Sequence, residues 1–327
     1  MKILVTGADG FVGSNLVREL LLRKHEIIAF VQYGNNPITI KDLSIEIKFG
    51  DLLDKKSINK AIAGCDALIH TAAITYVWPY RSDIQKKVNI EGTKNIMQAA
   101  LENNLKKVIH VGTANSFGFG TKEKPGNEKL PYMADRYKMD YMDTKYEAHK
   151  LVLNMVRNEN LPAVIVNPTF MFGPYPTPMG SAKMIESVYK GQVPGYSSGG
   201  RNYVAVKDVC IAIANALDLG KTGESYILGN ENLSYKEIFS TIAEATGVKA
   251  PKLFMPDFLV KGYALILTIL AKLFRFNPTV NYRMSLMSVD EHYYSPEKAR
   301  NELKLPQTPI KTAIIEAFKW MRENNYL

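Results

Sequence analysis

Tyr141 and Lys145 stand four positions apart in the segment Tyr141-Met142-Asp143-Thr144-Lys145. On a helix this spacing places both side chains on one face, so a phenol and an ammonium group lie side by side. Free tyrosine titrates near ~10 and is a poor base at neutral pH, but a neighbouring cation favours the phenolate and lowers its pKa. The pair therefore predicts a tyrosine that exchanges a proton with a substrate. The alternative interpretation is an ordinary solvated helix face.

Hydroxyl residues follow a predicted strand in the segment Val111-Gly112-Thr113-Ala114-Asn115-Ser116. A hydroxyl at a strand end can donate to a substrate carbonyl and stabilise the charge that develops on its oxygen. Thr113 and Ser116 both qualify by residue type. The alternative is a hydroxyl that bonds only to its own loop backbone.

A glycine-rich turn lies near the beginning of the chain, where residues 3–13 read ILVTGADGFVG. A strand, a tight turn and a helix N-terminus form a phosphate site, because the first helical N–H groups are unpaired and the helix dipole favours an anion. Gly7 allows the sharp turn, Gly10 the approach of a pyrophosphate, and Gly13 close packing of the helix on the sheet. We predict that a dinucleotide binds here, and a plain tight turn is the alternative. The predicted contacts are Gly7, Gly10, Phe11, Val12 and Gly13.

The end of the second predicted strand bears on the choice of cofactor. An acidic residue there would bind the ribose hydroxyls of NAD, and an arginine would accept the 2′-phosphate of NADP. Gln32 and Asn35 are neutral, so no carboxylate repels a 2′-phosphate, and we expect NADP(H), with NAD(H) as the alternative. Asp51 is a candidate acceptor for the adenine amino group. It is otherwise a helix N-cap, a role that Asp54 can also fill.

The composition is that of a globular protein: of 327 residues, 46% are hydrophobic and 22% are charged. The net charge is +9, but the lysines are scattered and no basic helix carries interleaved aromatics, which argues against nucleic-acid binding. A positive field suits an anionic cofactor or substrate. Cys65 and Cys210 lack metal or disulfide spacing, and the first strand begins at Ile3. We therefore expect no metal, no secretory signal and a cytoplasmic protein.

Apolar runs and helical patterns alternate along the chain. The predicted strands cover 3–5, 27–31, 45–49, 67–70, 107–112, 163–167, 203–206 and 224–228, and the predicted helices cover 13–23, 57–63, 85–103, 141–159 and 207–219. This alternation predicts an α/β fold with a doubly wound parallel sheet of the Rossmann type. We assign 1–173 and 203–230 to this dinucleotide-binding domain. A smaller C-terminal substrate-binding lobe, 174–202 and 231–327, is expected to close over the crevice.

The most apolar segment covers 258–276, and Lys261, Lys272 and Arg275 interrupt it. Its uncharged part is too short to span a bilayer. We predict an amphipathic helix that packs on the substrate lobe. The alternatives are a helix on a membrane surface and a wall for a greasy substrate.

Together these features resemble the extended short-chain dehydrogenase/reductases, in the dihydroflavonol-reductase-like and hopanoid-associated sugar epimerase-like branch of the NAD-dependent epimerase/dehydratases. Residues 6–13 resemble their TGxxGxxG turn, and Tyr141 with Lys145 resembles their YxxxK pair. Further resemblances are HTAA at 70–73 to the HxAA segment, VNIEGT at 88–93 to NVxGT, and NPTFMFGP at 167–174 to the NPxxxxGP loop near the nicotinamide.

The resemblance implies catalytic roles for three residues. Tyr141 is the acid/base, Lys145 is its electrostatic partner and a ligand of the nicotinamide ribose, and Thr113 replaces the usual catalytic serine. It also implies a homodimer that pairs the helices at 85–103 and 141–159. The further cofactor contacts are Gln32, Asp51, Leu52, Thr71, Ala72, Ala73, Asn89, Pro168 and Phe170.

One segment points to a different substrate class. Residues 201–209, RNYVAVKDV, resemble the RDYIHVxD segment of nucleotide-sugar epimerases, in which the arginine contacts a diphosphate. A second arginine usual in those enzymes is missing near Met287, and a surface ion pair is the alternative for Arg201. Apolar residues crowd the predicted pocket loops and suit an apolar or ring-shaped carbonyl: Tyr76, Trp78, Tyr80, Met171, Phe172 and Tyr196.

We therefore predict an NAD(P)-dependent oxidoreductase that reduces the carbonyl, or oxidises the alcohol, of an apolar or ring-shaped small molecule. Hydride transfer would use Tyr141 as acid/base. Candidate substrate contacts are Trp78, Ser116, Met171 and Arg201. One alternative is a nucleotide-sugar epimerase or dehydratase with tightly bound NAD, and another is a non-catalytic dinucleotide sensor that binds a partner protein.

Overall fold

The protein is described by a computed structural model over residues 1–176 and 180–327, so residues 177–179 of the predicted lobe lie outside the described residues. The strands are β1 (Lys2–Thr6), β2 (Glu26–Gln32), β3 (Glu46–Gly50), β4 (Ala67–His70), β5 (Lys107–Val111), β6 (Ala163–Pro168), β7 (Phe170–Phe172), β8 (Gly195–Tyr196), β9 (Gly200–Ala205), β10 (Ser225–Leu228), β11 (Glu231–Ser234), β12 (Leu253–Phe254) and β13 (Glu291–His292). The α-helices are α1 (Phe11–Leu22), α2 (Lys55–Ile62), α3 (Asp83–Lys86), α4 (Thr93–Glu102), α5 (Asp140–Glu159), α6 (Ser181–Tyr189), α7 (Val206–Leu219), α8 (Tyr235–Thr246), α9 (Asp257–Phe274), α10 (Tyr282–Ser288), α11 (Glu297–Leu303) and α12 (Ile310–Glu323).

The main sheet has seven parallel strands in the order β10-β6-β5-β4-β1-β2-β3. From β1 the chain moves outward to β3 on one side, and it then returns to β4 and moves outward on the other side. This reversal between β1 and β4 opens a crevice at the carboxyl ends of the strands, where ligands of such sheets bind. The predicted doubly wound parallel sheet is confirmed.

Helices cover both faces of the sheet because its strands are apolar on both sides. α1 and α7 pack against each other on one face, and α2, α4 and α5 cover the other. The helix predicted over 85–103 differs from expectation, because a π-helical turn, Lys87–Gly92, joins α3 to α4. That turn carries Asn89, whose side chain binds two other segments of the site.

A second, smaller sheet contains β7, β9, β11 and β13. β9 is its centre and pairs with all three of the others. The predicted domain division placed β7 and half of β9, residues 203–205, with the main sheet, but both strands pair in the second one. Asn202 on β9 is buried and links neighbouring segments: its Oδ1 accepts from Thr169 Oγ1 at 2.8 Å and from the Asn230 N–H at 2.9 Å, and its Nδ2 donates to Asn232 Oδ1 at 2.7 Å.

α9 packs on the body of the protein through small side chains. Ala264, Thr268 and Ala271 are its buried residues, and Thr268 Oγ1 accepts from the backbone N–H of Tyr282 at 2.8 Å, where α10 begins. The large apolar residues of α9 lie on its exposed side. The predicted helix therefore packs on α10 of the predicted lobe, but it does so through its small side chains and not through its large apolar ones.

Candidate active site

The glycine turn between β1 and α1 has the geometry that a pyrophosphate requires. Gly7 has a φ of +64°, and a Cβ there would lie 2.8 Å from the Cα of Ala72. A Cβ at Gly13 would lie 2.0 Å from the carbonyl oxygen of Gly7, so only glycine lets α1 begin this close to the strand. Gly10 is the N-cap and has no side-chain cap. The first N–H groups of the helix, at Phe11 and Val12, are therefore free to bind an anion.

A cavity of about 240 Å³ extends from this turn along the carboxyl ends of β1, β2 and β3. Its lining includes many of the predicted cofactor contacts, namely Gly7, Gly10, Gln32, Asp51, Leu52, Thr71, Ala72 and Ala73. The arrangement fits a dinucleotide laid across the switch point of the sheet. Asp54 is the N-cap of α2 and accepts from the Lys56 N–H at 3.0 Å, so Asp51 is not needed for that role.

Asp9 also lines this cavity, and the sequence interpretation missed it. Its carboxylate accepts from Asn35 Nδ2 at 2.9 Å. The available signal was its place between Gly7 and Gly10, inside the turn itself. Asp9 and Asp51 are acidic, and the described residues that line the cavity include no lysine or arginine.

The beginning of α5 is held in place by buried polar contacts. Asp140 is 1% exposed, accepts from the Ser82 N–H at 2.7 Å and forms a salt bridge with Arg81. Asn89 accepts from the Ile74 N–H at 2.8 Å and donates to Thr144 Oγ1 at 3.0 Å. Asn89 is therefore a positioning residue that joins the cofactor loop to α5.

Tyr141 is influenced by the Thr113 hydroxyl and by the charge of Arg201. Burial raises the pKa of Tyr141 above its usual value, and a hydrogen bond with Thr113 and the charge of Arg201 oppose that rise. Tyr141 is thus protonated at neutral pH. The Thr113 hydroxyl also accepts from the Asn115 N–H at 3.3 Å.

Lys145 is 5% exposed and donates to the carbonyl oxygen of Val111 at 2.7 Å. Burial lowers its pKa to about 8, and it forms no salt bridge with any residue that the structure describes. We expected Lys145 to lower the pKa of Tyr141, and this role stays a prediction; the influences that oppose the rise of that pKa in the structure are the Thr113 hydrogen bond and the charge of Arg201. Lys145 extends toward the end of β5, although helical spacing puts both residues on one face.

Arg201 is half-buried on β9. Its Nε donates to the Tyr235 hydroxyl at 2.7 Å, and its guanidinium lies 5.5 Å from the centre of the Phe170 ring. Within the described chain it forms no salt bridge, so the alternative of a surface ion pair is not seen there, and its terminal amino groups have no hydrogen-bond partner among the same residues. These groups can bind an anion near Tyr141.

Other predicted residues lie in different surroundings. Ser116 is buried, and its hydroxyl has no partner among the described residues. Trp78 packs edge-on against Tyr80, with ring centres 5.6 Å apart. Met171 packs against the core beneath α1 and α7, whereas Phe172 and Tyr196 belong to the core of the second sheet and its helices. Pro168 ends β6 in a buried position.

Residues 3–229 match the model of the NAD dependent epimerase/dehydratase family. The chain belongs to this family. A relative from Synechocystis sp., whose provisional name is dihydroflavonol 4-reductase, is 32% identical over 99% of this chain and 95% of its own length. Sterol demethylase protein B from Methylococcus capsulatus is 30% identical over the full length of both proteins. The crystal structure of gox2253 is 35% identical, with a TM-score of 0.87 over 99% of each chain.

As a member of the NAD-dependent epimerase/dehydratase family, the protein is an NAD(P)-dependent enzyme of the extended short-chain dehydrogenase/reductase type. The predicted family and enzyme class are thus confirmed. The relatives include reductases and dehydrogenases. They favour an oxidoreductase over the nucleotide-sugar alternative and over a non-catalytic sensor.

Proposed function

We propose that this enzyme reduces the carbonyl of an apolar, ring-containing molecule that also carries an anionic group, with NADH as reductant. The observation that carries the proposal is that the Thr113 hydroxyl and the charge of Arg201 both act on the buried phenol of Tyr141. A proton donor, a second hydroxyl and a cation without a salt-bridge partner among the described residues thus belong to one part of the structure.

Each of these residues has its own role in the proposed carbonyl reduction. The nicotinamide of a bound dinucleotide supplies the hydride. Thr113 donates to the carbonyl oxygen and orients it, and Tyr141 transfers its proton to that oxygen as negative charge develops there. Lys145 binds the nicotinamide ribose, and its ammonium group supplies a positive charge at the end of β5.

The apolar part of the substrate is matched by the surroundings of Tyr141. Tyr141 packs in a cluster of apolar and aromatic side chains that joins the segment before α3, the beginning of α5, and α10. The members include Val77, Tyr80, Phe119, Tyr137, Met139, Met142, Leu286 and Met287. The names of two relatives refer to a sterol and a dihydroflavonol, and both molecules are built from fused or linked rings.

The anionic group is assigned to Arg201, and this part of the proposal can be tested with Arg201→Gln. A charge-assisted hydrogen bond contributes about 1.5–3 kcal/mol, so we expect KM for a cyclic keto acid to rise about tenfold or more. KM for the methyl ester of the same keto acid should stay within about threefold. The assay is NADH oxidation, and Arg157→Gln, at an exposed position on α5, is the matched control.

Two results of this assay would count against the proposal. Equal effects of Arg201→Gln on the acid and the ester would reject the anion site. Failure of the unmodified enzyme to oxidise NADH or NADPH with any apolar ketone, keto acid or keto ester would reject carbonyl reduction itself.

The cofactor preference is proposed from the cavity at the glycine turn. Gln32 alone favours NADP(H), but Asp9 and Asp51 place two carboxylates in the same lining without a cation. A 2′-phosphate would meet this negative charge, so the structure favours NAD(H).

Asp9→Asn is expected to narrow the preference for NADH over NADPH by about tenfold, which corresponds to about 1.4 kcal/mol. The change keeps the shape of the side chain and removes its charge. Dissociation constants for both dinucleotides can be measured by fluorescence titration, with Asp42→Asn on the exposed surface as control. Tighter binding of NADPH to the unmodified enzyme, with no response to Asp9→Asn, would contradict this assignment.

A further inference from the structure

α9 presents a broad apolar face to solvent. Phe258 is 71% exposed, Leu273 is 70% exposed and Phe274 is 69% exposed. The other exposed members of this face are Leu259, Tyr263, Leu265, Ile266, Ile269 and Leu270, and Leu253 and Phe254 of β12 are exposed as well. We call this set the α9 apolar face. Soluble monomers rarely expose so many large apolar side chains together unless the patch binds a partner or a membrane.

The orientation of α9 is the reverse of that of an ordinary surface helix. A helix on a globular protein buries its large apolar residues and exposes its polar ones. Here Ala264, Thr268 and Ala271 are buried against the body, and the larger side chains point outward. Burial in the core of this chain therefore does not explain why these outward positions are apolar.

Most charged residues of the segment that contains α9 are basic. Between residues 250 and 289 the chain has five basic residues, namely Lys252, Lys261, Lys272, Arg275 and Arg283, and one acidic residue, Asp257. Asp257 accepts from the Ser198 hydroxyl at 2.7 Å. An apolar helix face bordered by lysine and arginine is typical of helices that lie in the plane of a membrane surface. Among the described helices, none has the length and hydropathy needed to cross a bilayer.

We propose that the α9 apolar face docks on the surface of a membrane that contains anionic lipids. The large side chains enter the boundary between headgroups and acyl chains, and the flanking basic residues contact lipid phosphates. The protein then lies on the membrane without spanning it.

The docking face adjoins the candidate active site. Lys272 Nζ on α9 donates to the Tyr80 hydroxyl at 2.8 Å, and Tyr80 belongs to the same apolar cluster as Tyr141. If the proposed function holds, an apolar substrate dissolved in the membrane would pass directly into this cluster. The docking itself requires neither substrate nor dinucleotide, so it can be tested independently of that function.

The test is co-sedimentation of the full-length protein with phosphatidylglycerol/phosphatidylcholine vesicles and with vesicles of phosphatidylcholine alone. We expect at least tenfold tighter binding to the anionic vesicles. The double variant Ile266→Glu/Leu273→Glu should lose at least tenfold of that affinity, and Lys252→Gln/Lys261→Gln should weaken binding to anionic vesicles only. Leu22→Glu/Ile315→Glu, which changes exposed apolar residues on α1 and α12, is the matched control and should bind like the unmodified protein.

Thermal melting and NADH titration check that the variants keep their fold, which is expected because the changed side chains are exposed. Absence of binding to either vesicle would overturn the proposal. Equal losses in the α9 variant and in the control would also overturn it. A dimer in sedimentation equilibrium that Ile266→Glu/Leu273→Glu dissociates, without vesicle binding, would assign the face to a second copy of this chain.

Discussion

Tyr141→Phe is expected to lower kcat for carbonyl reduction by at least about 10²-fold, the size of effect that a positioned proton donor contributes. The substitution removes only the phenolic hydroxyl, on which the Thr113 hydroxyl and the charge of Arg201 act. Because the ring remains in its apolar cluster, affinity for the dinucleotide should change little. Stopped-flow measurement of NADH oxidation separates the chemical step from binding.

Tyr146→Phe is the matched control for this substitution. Tyr146 lies on the same helix and stacks on Tyr132, with ring centres 4.1 Å apart, and we expect its loss to leave kcat within about twofold. If Tyr141→Phe retained most of its turnover, or if both variants lost it equally, Tyr141 would not be the acid/base.

Lys145→Met is expected to abolish activity and at the same time to stabilise the fold. Lys145 is buried without a salt-bridge partner in the described chain, and burial lowers its pKa to about 8. At pH 7 the folded protein must hold a buried cation that the unfolded chain exposes to water. Removing that cation should raise the free energy of unfolding by about 1–3 kcal/mol, while kcat falls by at least about 10²-fold.

The pH dependence identifies the cause of this stabilisation. Between pH 8 and the ordinary lysine pKa of 10.5, the unfolded chain binds more protons at this residue than the folded one, so the Lys145 contribution to stability rises with pH. The advantage of Lys145→Met in urea unfolding should therefore shrink as pH rises from 7 to 10. Lys150→Met, at an exposed position on α5, should show no such trend. A Lys145→Met protein less stable than the unmodified one at pH 7 would contradict this account.

The main sheet and the glycine turn could be predicted because their signals are local. Each buried parallel strand is a short apolar run, and the turn needs glycine where a Cβ would collide with backbone, as at Gly13. The positions of Tyr141 and Lys145 on one helix follow from their spacing. The residue whose charge acts on Tyr141 could not be deduced, because Arg201 comes from a strand 60 residues further along the chain.

Two other features depend on tertiary contacts, which the hydrophobic periodicity of the sequence does not predict. The pattern of 258–276 indicates a helix, but it does not say whether the small side or the large side meets the protein, and the small side does. The predicted domain boundaries cut through the second sheet because β7 and β9 resemble strands of the main sheet in composition. β7 pairs with β9, and the other two partners of β9, β11 and β13, are strands of four and two residues with weak sequence signals.

The interleaving of the two sheets affects how such enzymes can be recombined. The chain goes from β6 in the main sheet to β7 and β9 in the second, returns through α7 to β10, and leaves again for β11. A chimaera that exchanged substrate preference between two relatives would therefore have to swap at least two separate segments together. The buried amide of Asn202 bonds to residues on both sides of these crossings. The segments joined in a chimaera would therefore have to keep these hydrogen bonds.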